Sequence, residues 1–370
     1  MMQRIEVNLP TTRYPVMIEP GAIGRLTAIV VAEELESRRC LLAVDASIQK
    51  THGIAVRRSL EASGVDVLQW EVDAQEKNKR IETVNDGYKH MLEGRLERTH
   101  PVIAVGGGLT GDVAGFLAAT YLRGVPLVQV PTTLLAMVDA SVGGKTGVNF
   151  ELPNGGLGKN LVGAFWQPRA VIVDPRALVT LAQRDRRCGL AECVKHALLA
   201  DARLFDWIET QGQTLLEDND VIQAELISRC IQIKVNIVQE DEREVGQRAL
   251  LNLGHTFAHV IEPLESMSLL HGEAVAIGIV AACRVSQQRG TLEQAAFDRI
   301  ESLLLKLGLP TRLPCAAPAA SLVEAMLFDK KVVNGVPRLI LLDSIGKAFI
   351  ATDVDLQTVL DAWAYVGADL

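Results

Sequence analysis

Residues 102–122, VIAVGGGLTGDVAGFLAATYL, decide the fold. Val102 to Val105 has the length and unbroken apolar character of a strand buried on both faces, as in a parallel sheet. Gly106, Gly107 and Gly108 follow, and then helix formers from Asp112 to Leu122. Strand, glycines and helix in that order bring backbone N–H groups up to a phosphate at a helix N-terminus. The spacing is not the G-x-G-x-x-G of the usual dinucleotide fingerprint, and three glycines alone are more often a turn. The continuation strengthens the reading. A second apolar strand, Leu127 to Val130, ends at Pro131-Thr132-Thr133, and a glycine-flanked lysine follows in Gly143-Gly144-Lys145-Thr146. Two such strand exits with Asp112, Asp139 and Lys145 close in sequence predict a site for a nucleotide and a phosphorylated molecule.

Working outward, residues 1–175 alternate strand and helix. Strands are expected at Ile5 to Leu9, Val16 to Glu19, Cys40 to Val44 and Val65 to Trp70, with helices at Ile48 to Ser63 and Ile81 to Arg98, and the pattern changes near Val171 to Pro175. That pattern predicts an α/β, Rossmann-like domain with a mostly parallel sheet and ligands at the carboxyl ends of its strands. Asp45 lies at such an end, where it could take a ribose hydroxyl or simply cap a helix. Beyond residue 175 the apolar positions fall at helical spacing, over 184–200, 214–239, 249–262, 271–289 and 293–307. Strand character returns only at Leu339 to Leu342 and at 347–351. The second domain, 176–370, is therefore expected to be all but wholly helical, with a cleft between it and the first.

The helical half holds the metal candidates. His255 and His259 stand at i and i+4, on one face of a helix. His271 opens the next apolar helix, and Glu192 sits in another with Lys195 and His196 behind it. A carboxylate and two imidazoles suit a catalytic Zn²⁺, which keeps one position open. Spacing alone leaves open which groups ligate, and His255 with His259 is one possible pair. The chain has 370 residues, 48% hydrophobic and 22% charged, so it is long enough for two cores. A net charge of −8 argues against a nucleic-acid partner. The six cysteines lack C-x-x-C spacing and read as reduced residues of a cytoplasmic protein. No signal-peptide pattern opens the chain, and no apolar run is long enough for a bilayer.

Over essentially its whole length the chain resembles 3-dehydroquinate synthase. The resemblance rests on Gly106-Gly107-Gly108 with Asp112, on residues 115–124 (GFLAATYLRG), and on Pro131-Thr132-Thr133. It continues through residues 138–146 (VDASVGGKT), 158–165 (GKNLVGAF) and 189–192 (GLAE), then Asn252-Leu253-Gly254-His255 and His271-Gly272-Glu273. It implies Zn²⁺ or Co²⁺ on Glu192, His255 and His271. It implies NAD contacts at Asp45, Glu76, Lys79, Gly107, Gly108, Asp112, Thr132, Thr133 and Lys145. Substrate contacts fall on Asp139, Lys145, Lys159, Asn160, Lys195, Lys234, Arg248, Asn252 and His259. Arg123 resembles an arginine that reaches into the partner subunit's site of a homodimer, and Lys330-Lys331 a pair that closes over substrate. The implied substrate is a seven-carbon 3-deoxy-heptulosonate 7-phosphate. Transient oxidation at C5 with NAD precedes phosphate elimination, return of the hydride and intramolecular aldol closure to 3-dehydroquinate. Lysines and arginines at 145, 159, 234 and 248 match a substrate with phosphate at one end and carboxylate at the other. The alternatives are another sugar-phosphate cyclase, a metal-dependent polyol dehydrogenase or a non-catalytic NAD- or metal-binding protein. The cation set disfavours the dehydrogenase, and the complete metal and lysine sets disfavour the non-catalytic reading. Three positions depart from the family pattern: Gln75 replaces a glycine before Glu76, Cys193 replaces a branched aliphatic residue, and about five extra residues lie between Lys145 and Lys159, around Glu151-Leu152-Pro153-Asn154-Gly155-Gly156.

Overall fold

The computed structural model describes residues 2–31, 35–151, 157–327, 332–333 and 336–370. The expected turn at 152–156 and the Lys330-Lys331 pair lie outside them. In chain order the elements are β1 (Gln3–Asn8), β2 (Arg13–Ile18), α1 (Ile23–Ile29), β3 (Arg39–Asp45), α2 (Ile54–Ala62), β4 (Asp66–Val72), α3 (Ile81–Glu93), β5 (Val102–Gly106) and α4 (Gly108–Thr120). Then come β6 (Leu127–Pro131), the strands β7 (Lys145–Glu151) and β8 (Leu157–Phe165), β9 (Ala170–Val173), α5 (Gln183–Ala200), α6 (Ala202–Gln211) and α7 (Asp220–Glu240). The chain finishes with α8 (His255–Ile261), α9 (His271–Gln288), α10 (Gln294–Lys306), α11 (Ala319–Leu327), β10 (Val332–Val333), β11 (Val336–Pro337), β12 (Leu339–Ser344), β13 (Lys347–Ala351) and α12 (Leu356–Tyr365). Two compact units emerge, Met1–Leu181 with Asp220–Glu242, and Ala182–Asn219 with Arg243–Leu370. Helix α7 thus packs with the first unit, although it lies in the half of the sequence read as the second domain.

The first unit is the expected α/β sheet. Its seven strands run β1-β2-β9-β6-β5-β3-β4, parallel except for the β1–β2 pair. The chain passes from β3 to β4 on one side and then to β5 on the other, so the order reverses between β3 and β5. Ligands of open parallel sheets bind at such a switch, beyond the carboxyl ends of the strands. Strands β3 and β5 are fully apolar between their ends, as two-sided burial demands, while β6 carries one buried polar residue, Gln129, whose Nε2 donates to the Gly111 carbonyl at 3.2 Å. Trp70, Val84, Met91, Val113 and Leu117 close the core between the sheet and helices α3 and α4. Helix α3 stops at Glu93, short of the expected Arg98, because Gly94 caps it and Arg95 turns left-handed at φ 50°. The helix expected from Ile48 begins as a 3-10 and a π turn and becomes α-helical only at Ile54.

The second unit is helical apart from short hairpins, the longer being β12–β13 at the two places where strand character returns. Its third expected helix, over 249–262, is broken. A 3-10 turn over Gln247–Asn252 and helix α8 meet at Gly254, which is left-handed at φ 77°. No described helix is long and apolar enough to cross a membrane. All six cysteines are free thiols, buried except for Cys315, and burial pushes Cys40 and Cys188 up to about 12, far from the reactive range.

Candidate active site

The switch point of the first unit gathers the residues expected to hold a dinucleotide. Asp45 ends β3, Gly106 ends β5 and Thr132 follows β6, three neighbouring strands. The Thr132 N–H donates to the Gly106 carbonyl at 2.9 Å, which fixes the two exits side by side. Gly107 caps α4, and a Cβ added there would meet Thr133 at 3.2 Å, while one at Gly108 would meet Ala140 at 3.2 Å. The glycines keep these backbone amides open to a ligand. Asp45 does act as a helix cap, its Oδ1 accepting from Ser47 N at 2.9 Å and from Ser47 Oγ at 2.7 Å. Thr133 caps the next turn by accepting from Ala136 N at 3.2 Å.

A polar network lies beside these exits. Lys79, buried at 6% exposure, donates to Asp112 Oδ2 at 2.6 Å and also to Asn160 Oδ1. Burial raises the Asp112 carboxyl, opposed by the Lys79 ammonium that holds it. Glu76 accepts from Asn149 Nδ2 at 2.7 Å, and Asn149 Oδ1 accepts from Asn160 N at 2.9 Å. Glu76, Lys79, Asp112 and Asn160 are therefore one cluster, with Asn149 a member that no sequence motif marks. A second pair joins residues far apart in the chain: Lys234 of α7 donates to Asp139 Oδ1 at 2.6 Å and to the Asp139 carbonyl. Lys145 is exposed at the start of β7 and Lys159 half-buried on β8. The ladder between β7 and β8 includes the pairs Glu151↔Leu157 and Phe150↔Gly158. Those pairs stand between Asn160 and residues 152–156, so the extra residues leave its hydrogen bonds intact. Arg123 is exposed on a left-handed corner after α4, with Leu122 at φ 49°, Arg123 at 67° and Gly124 at 119°. Two consecutive non-glycine residues in that region store strain, a mark of functional loops. No described hydrogen bond or ion pair ties Arg123 to the other candidates.

The second unit builds the metal candidate from three helices. Glu192 is fully buried in α5, His255 opens α8 and His271 opens α9. Glu192 Oε1 lies 3.5 Å from His255 Nε2 and 3.4 Å from His271 Nε2. All three donor atoms fall within 4.8 Å of one another. A tetrahedral ion with bonds of ~2.0–2.1 Å has ligand-to-ligand edges of roughly 3.3–3.4 Å, so these separations fit Zn²⁺. The ring orientations fit as well. His255 Nδ1 faces the Leu253 carbonyl at 3.2 Å, so its N–H belongs there and the Nε2 lone pair points at the site. Burial and the nearby Lys195 ammonium hold His255 well below the ordinary histidine range, and it stays neutral. His271 Nδ1 faces Glu262 Oε1 at 3.4 Å. Burial opposes charge on His271, but Glu192 and Glu262 outweigh it and push the group up to about 10. Two carboxylates around one imidazole make a place for a cation, which a divalent ion can fill in place of the proton. Lys195, also buried, ion-pairs with Glu192 Oε2 one turn along α5.

The close meeting of the three helices depends on glycines. A Cβ at Gly272 would lie 2.3 Å from Cys188 backbone atoms of α5, and one at Gly278 would lie 2.1 Å from the Gly254 carbonyl oxygen. Backbones thus touch on both sides of α9, which draws His271 toward Glu192 and His255. Arg184 clamps the same corner with two 2.7 Å bonds to Glu273 and one of 2.9 Å to the Ser268 carbonyl. Glu273 in turn accepts from Leu270 N at 2.8 Å. His259 is exposed one turn beyond His255, their ring centroids 5.5 Å apart. It is outside the three-donor cluster, so the His255–His259 pair is not the one the structure assembles. Arg248 is buried, and Asn252 donates to Glu244 at 2.8 Å. Glu262, Arg184 and the role of Glu273 escaped sequence reading, because their partners are distant in sequence or on another helix.

Two family models cover the chain, 3-dehydroquinate synthase N-terminal over residues 69–188 and 3-dehydroquinate synthase C-terminal over residues 189–332. A 3-dehydroquinate synthase from Nitrosospira multiformis is 42% identical over 373 residues, covering 100% of both chains. Among solved structures, 2-epi-5-epi-valiolone synthase from Streptomyces hygroscopicus subsp. jinggangensis, with NAD⁺ and Zn²⁺ bound, is 32% identical with a TM-score of 0.87, covering 97% of this chain and 98% of its own. A 2-deoxy-scyllo-inosose synthase, complexed with carbaglucose-6-phosphate, NAD⁺ and Co²⁺, shares the fold at a TM-score of 0.88 and 23% identity, covering 98% of this chain and 100% of its own.

Proposed function

The chain belongs to the 3-dehydroquinate synthase family, and we propose that it converts 3-deoxy-D-arabino-heptulosonate 7-phosphate to 3-dehydroquinate and phosphate, a step of aromatic amino-acid biosynthesis. The resident cofactors are NAD⁺ and a divalent metal, Zn²⁺ or Co²⁺, and the working form is a cytoplasmic homodimer. The observation that carries this reading is the Glu192 carboxylate oxygen standing 3.5 and 3.4 Å from the Nε2 atoms of His255 and His271.

When bound, the ion would polarise a substrate hydroxyl, which gives up its proton, and NAD⁺ would accept the hydride from the carbon that bears it and later return it. Glu192, His255 and His271 hold the ion. The amides of Gly107 and Gly108 receive the pyrophosphate, and Asp45, Glu76, Lys79, Asp112, Thr132, Thr133 and Lys145 complete the NAD site. Lys145, Lys159, Lys234 and Arg248 bind the two anionic ends of the substrate, where charge-assisted bonds are strongest. Asp139 keeps the Lys234 ammonium in one place, and Asn160 and Asn252 orient hydroxyls. Lys195 offsets part of the buried Glu192 charge and contacts substrate. His259 stands where a side chain can exchange a proton with substrate, and Arg123 reaches the partner subunit's site.

The cofactor returns to its starting state in every turnover, and that separates this reading from a polyol dehydrogenase. With substoichiometric NAD⁺, many phosphates are expected per cofactor, with no net rise at the NADH absorbance band. Substrate deuterated at C5 should yield product that keeps the label. NADH accumulating in step with product would overturn the reading. The 42% identity to curated 3-dehydroquinate synthases supports this substrate over that of the 32% identical valiolone synthase. Turnover of a non-acidic heptulose phosphate in preference to the carboxylate-bearing one would reverse that choice.

A further inference from the structure

Asn149 holds two parts of the first unit's polar cluster together. On the β7–β8 hairpin, Val148 pairs with Val162 and Phe150 with Gly158, so residues 159–161 of β8 stand opposite Asn149 alone. A bulge of this kind takes backbone groups out of the ladder and re-aims side chains, here those of Lys159 and Asn160. Asn160 adopts a left-handed backbone at φ 51°, which asparagine tolerates better than most residues.

The Asn149 side chain takes over what the ladder gives up. Its Oδ1 accepts from Asn160 N at 2.9 Å and its Nδ2 donates to Glu76 Oε1 at 2.7 Å. A carboxylate only accepts and a backbone N–H only donates, so these partners fix which way the amide points. Its own N–H donates to the Lys79 carbonyl at 2.7 Å. Lys79 closes the ring by donating to Asn160 Oδ1. At 3% exposure Asn149 gives up contact with water for these bonds.

We propose that Asn149 is a positioning residue, its amide locking the Glu76–Lys79 turn to the Lys159–Asn160 bulge. On the functional reading above, it couples the placement of a cofactor contact to that of a substrate contact. Asn149→Asp keeps the size and the acceptor for Asn160 N but sets a carboxylate against Glu76. Asn149→Ala removes both bonds. Glu76→Gln combined with Asn149→Asp restores the bond with donor and acceptor exchanged.

The test is a double-mutant cycle on the metal-loaded full chain, with NAD⁺ affinity measured by calorimetry. Asn149→Asp should weaken NAD⁺ binding at least about tenfold in the wild-type background and less than about twofold in the Glu76→Gln background. KM for the sugar phosphate should stay near wild type in Asn149→Asp and rise in Asn149→Ala. Amide exchange without cofactor should show Asn160 N–H protected in wild type and Asn149→Asp, and exposed in Asn149→Ala. Equal costs in the two backgrounds, or an Asn160 amide indifferent to Asn149→Ala, would overturn the proposal. A wild-type chain that takes up no NAD⁺ overturns the functional reading instead. Loss of Asn160 protection in Asn149→Ala would still support the lock.

Discussion

Gly272→Ala adds one methyl group and should disable the metal site. The new Cβ would lie 2.3 Å from Cys188 Cα and Cys188 O, both backbone atoms of α5 that cannot rotate away. Non-bonded carbons rest at about 3.5–4.0 Å, so α9 must back off from α5 by roughly 1 Å. Overpacking of this kind costs about 1–3 kcal/mol. At about 2–4 °C per kcal/mol for a domain of ~150–250 residues, the melting temperature should fall by a few degrees to roughly 10 °C. The larger effect is on the metal. Ligand distances must hold to about 0.2 Å, and a shift of ~1 Å carries His271, the neighbour of Gly272, out of reach of an ion held by Glu192 and His255. Thermal melting of the metal-free chain and zinc retention against a competing chelator measure the two effects separately. Gly24→Ala is the control, since nothing lies within 4 Å of a Cβ there and α1 should gain stability. If Gly272→Ala melts with the wild type and holds zinc as tightly, the backbone contact is not what brings the ligands together.

His255→Ala and His271→Ala should each lose the metal, whereas His259→Ala should keep one ion per chain and lose most activity; metal analysis showing the reverse would exchange the two assignments. Without metal, His271 is pushed up to about 10, above the ordinary 6.5, so its stabilising effect is complete below about pH 6.5 and is lost as pH rises through 10. An ion must displace that proton, so zinc affinity should climb about tenfold per pH unit below 10, and a flat profile would show that His271 is not a ligand. Mixed dimers of Arg123→Ala and Lys145→Ala chains should regain activity in one site; hybrids that form without any return of activity would confine Arg123 to its own chain.

Many carriers of chemistry are legible in the sequence because they sit in short motifs at reversals of the chain, although Glu192 and Lys234 lie inside α5 and α7. The three glycines end β5 and cap α4, Pro131-Thr132-Thr133 ends β6, and His255 and His271 open α8 and α9. Local spacing records such corners, since a strand exit or a helix start is built from consecutive residues. What fixes those corners is not local. Asn149 meets Asn160 across a bulge, Arg184 meets Glu273 from another helix, and Glu262 meets His271 around a turn. Glycines show the difference most sharply. Gly272 could be read as one member of His-Gly-Glu, but its reason for being glycine is the backbone of Cys188, in a different helix. The helix boundaries that shifted have a similar cause, since Gly254 and Arg95 turn left-handed where apolar periodicity alone would carry the helix on. Motifs therefore identified which atoms can react, while the residues that hold those atoms at working distances emerged only from the packing of elements far apart in the chain.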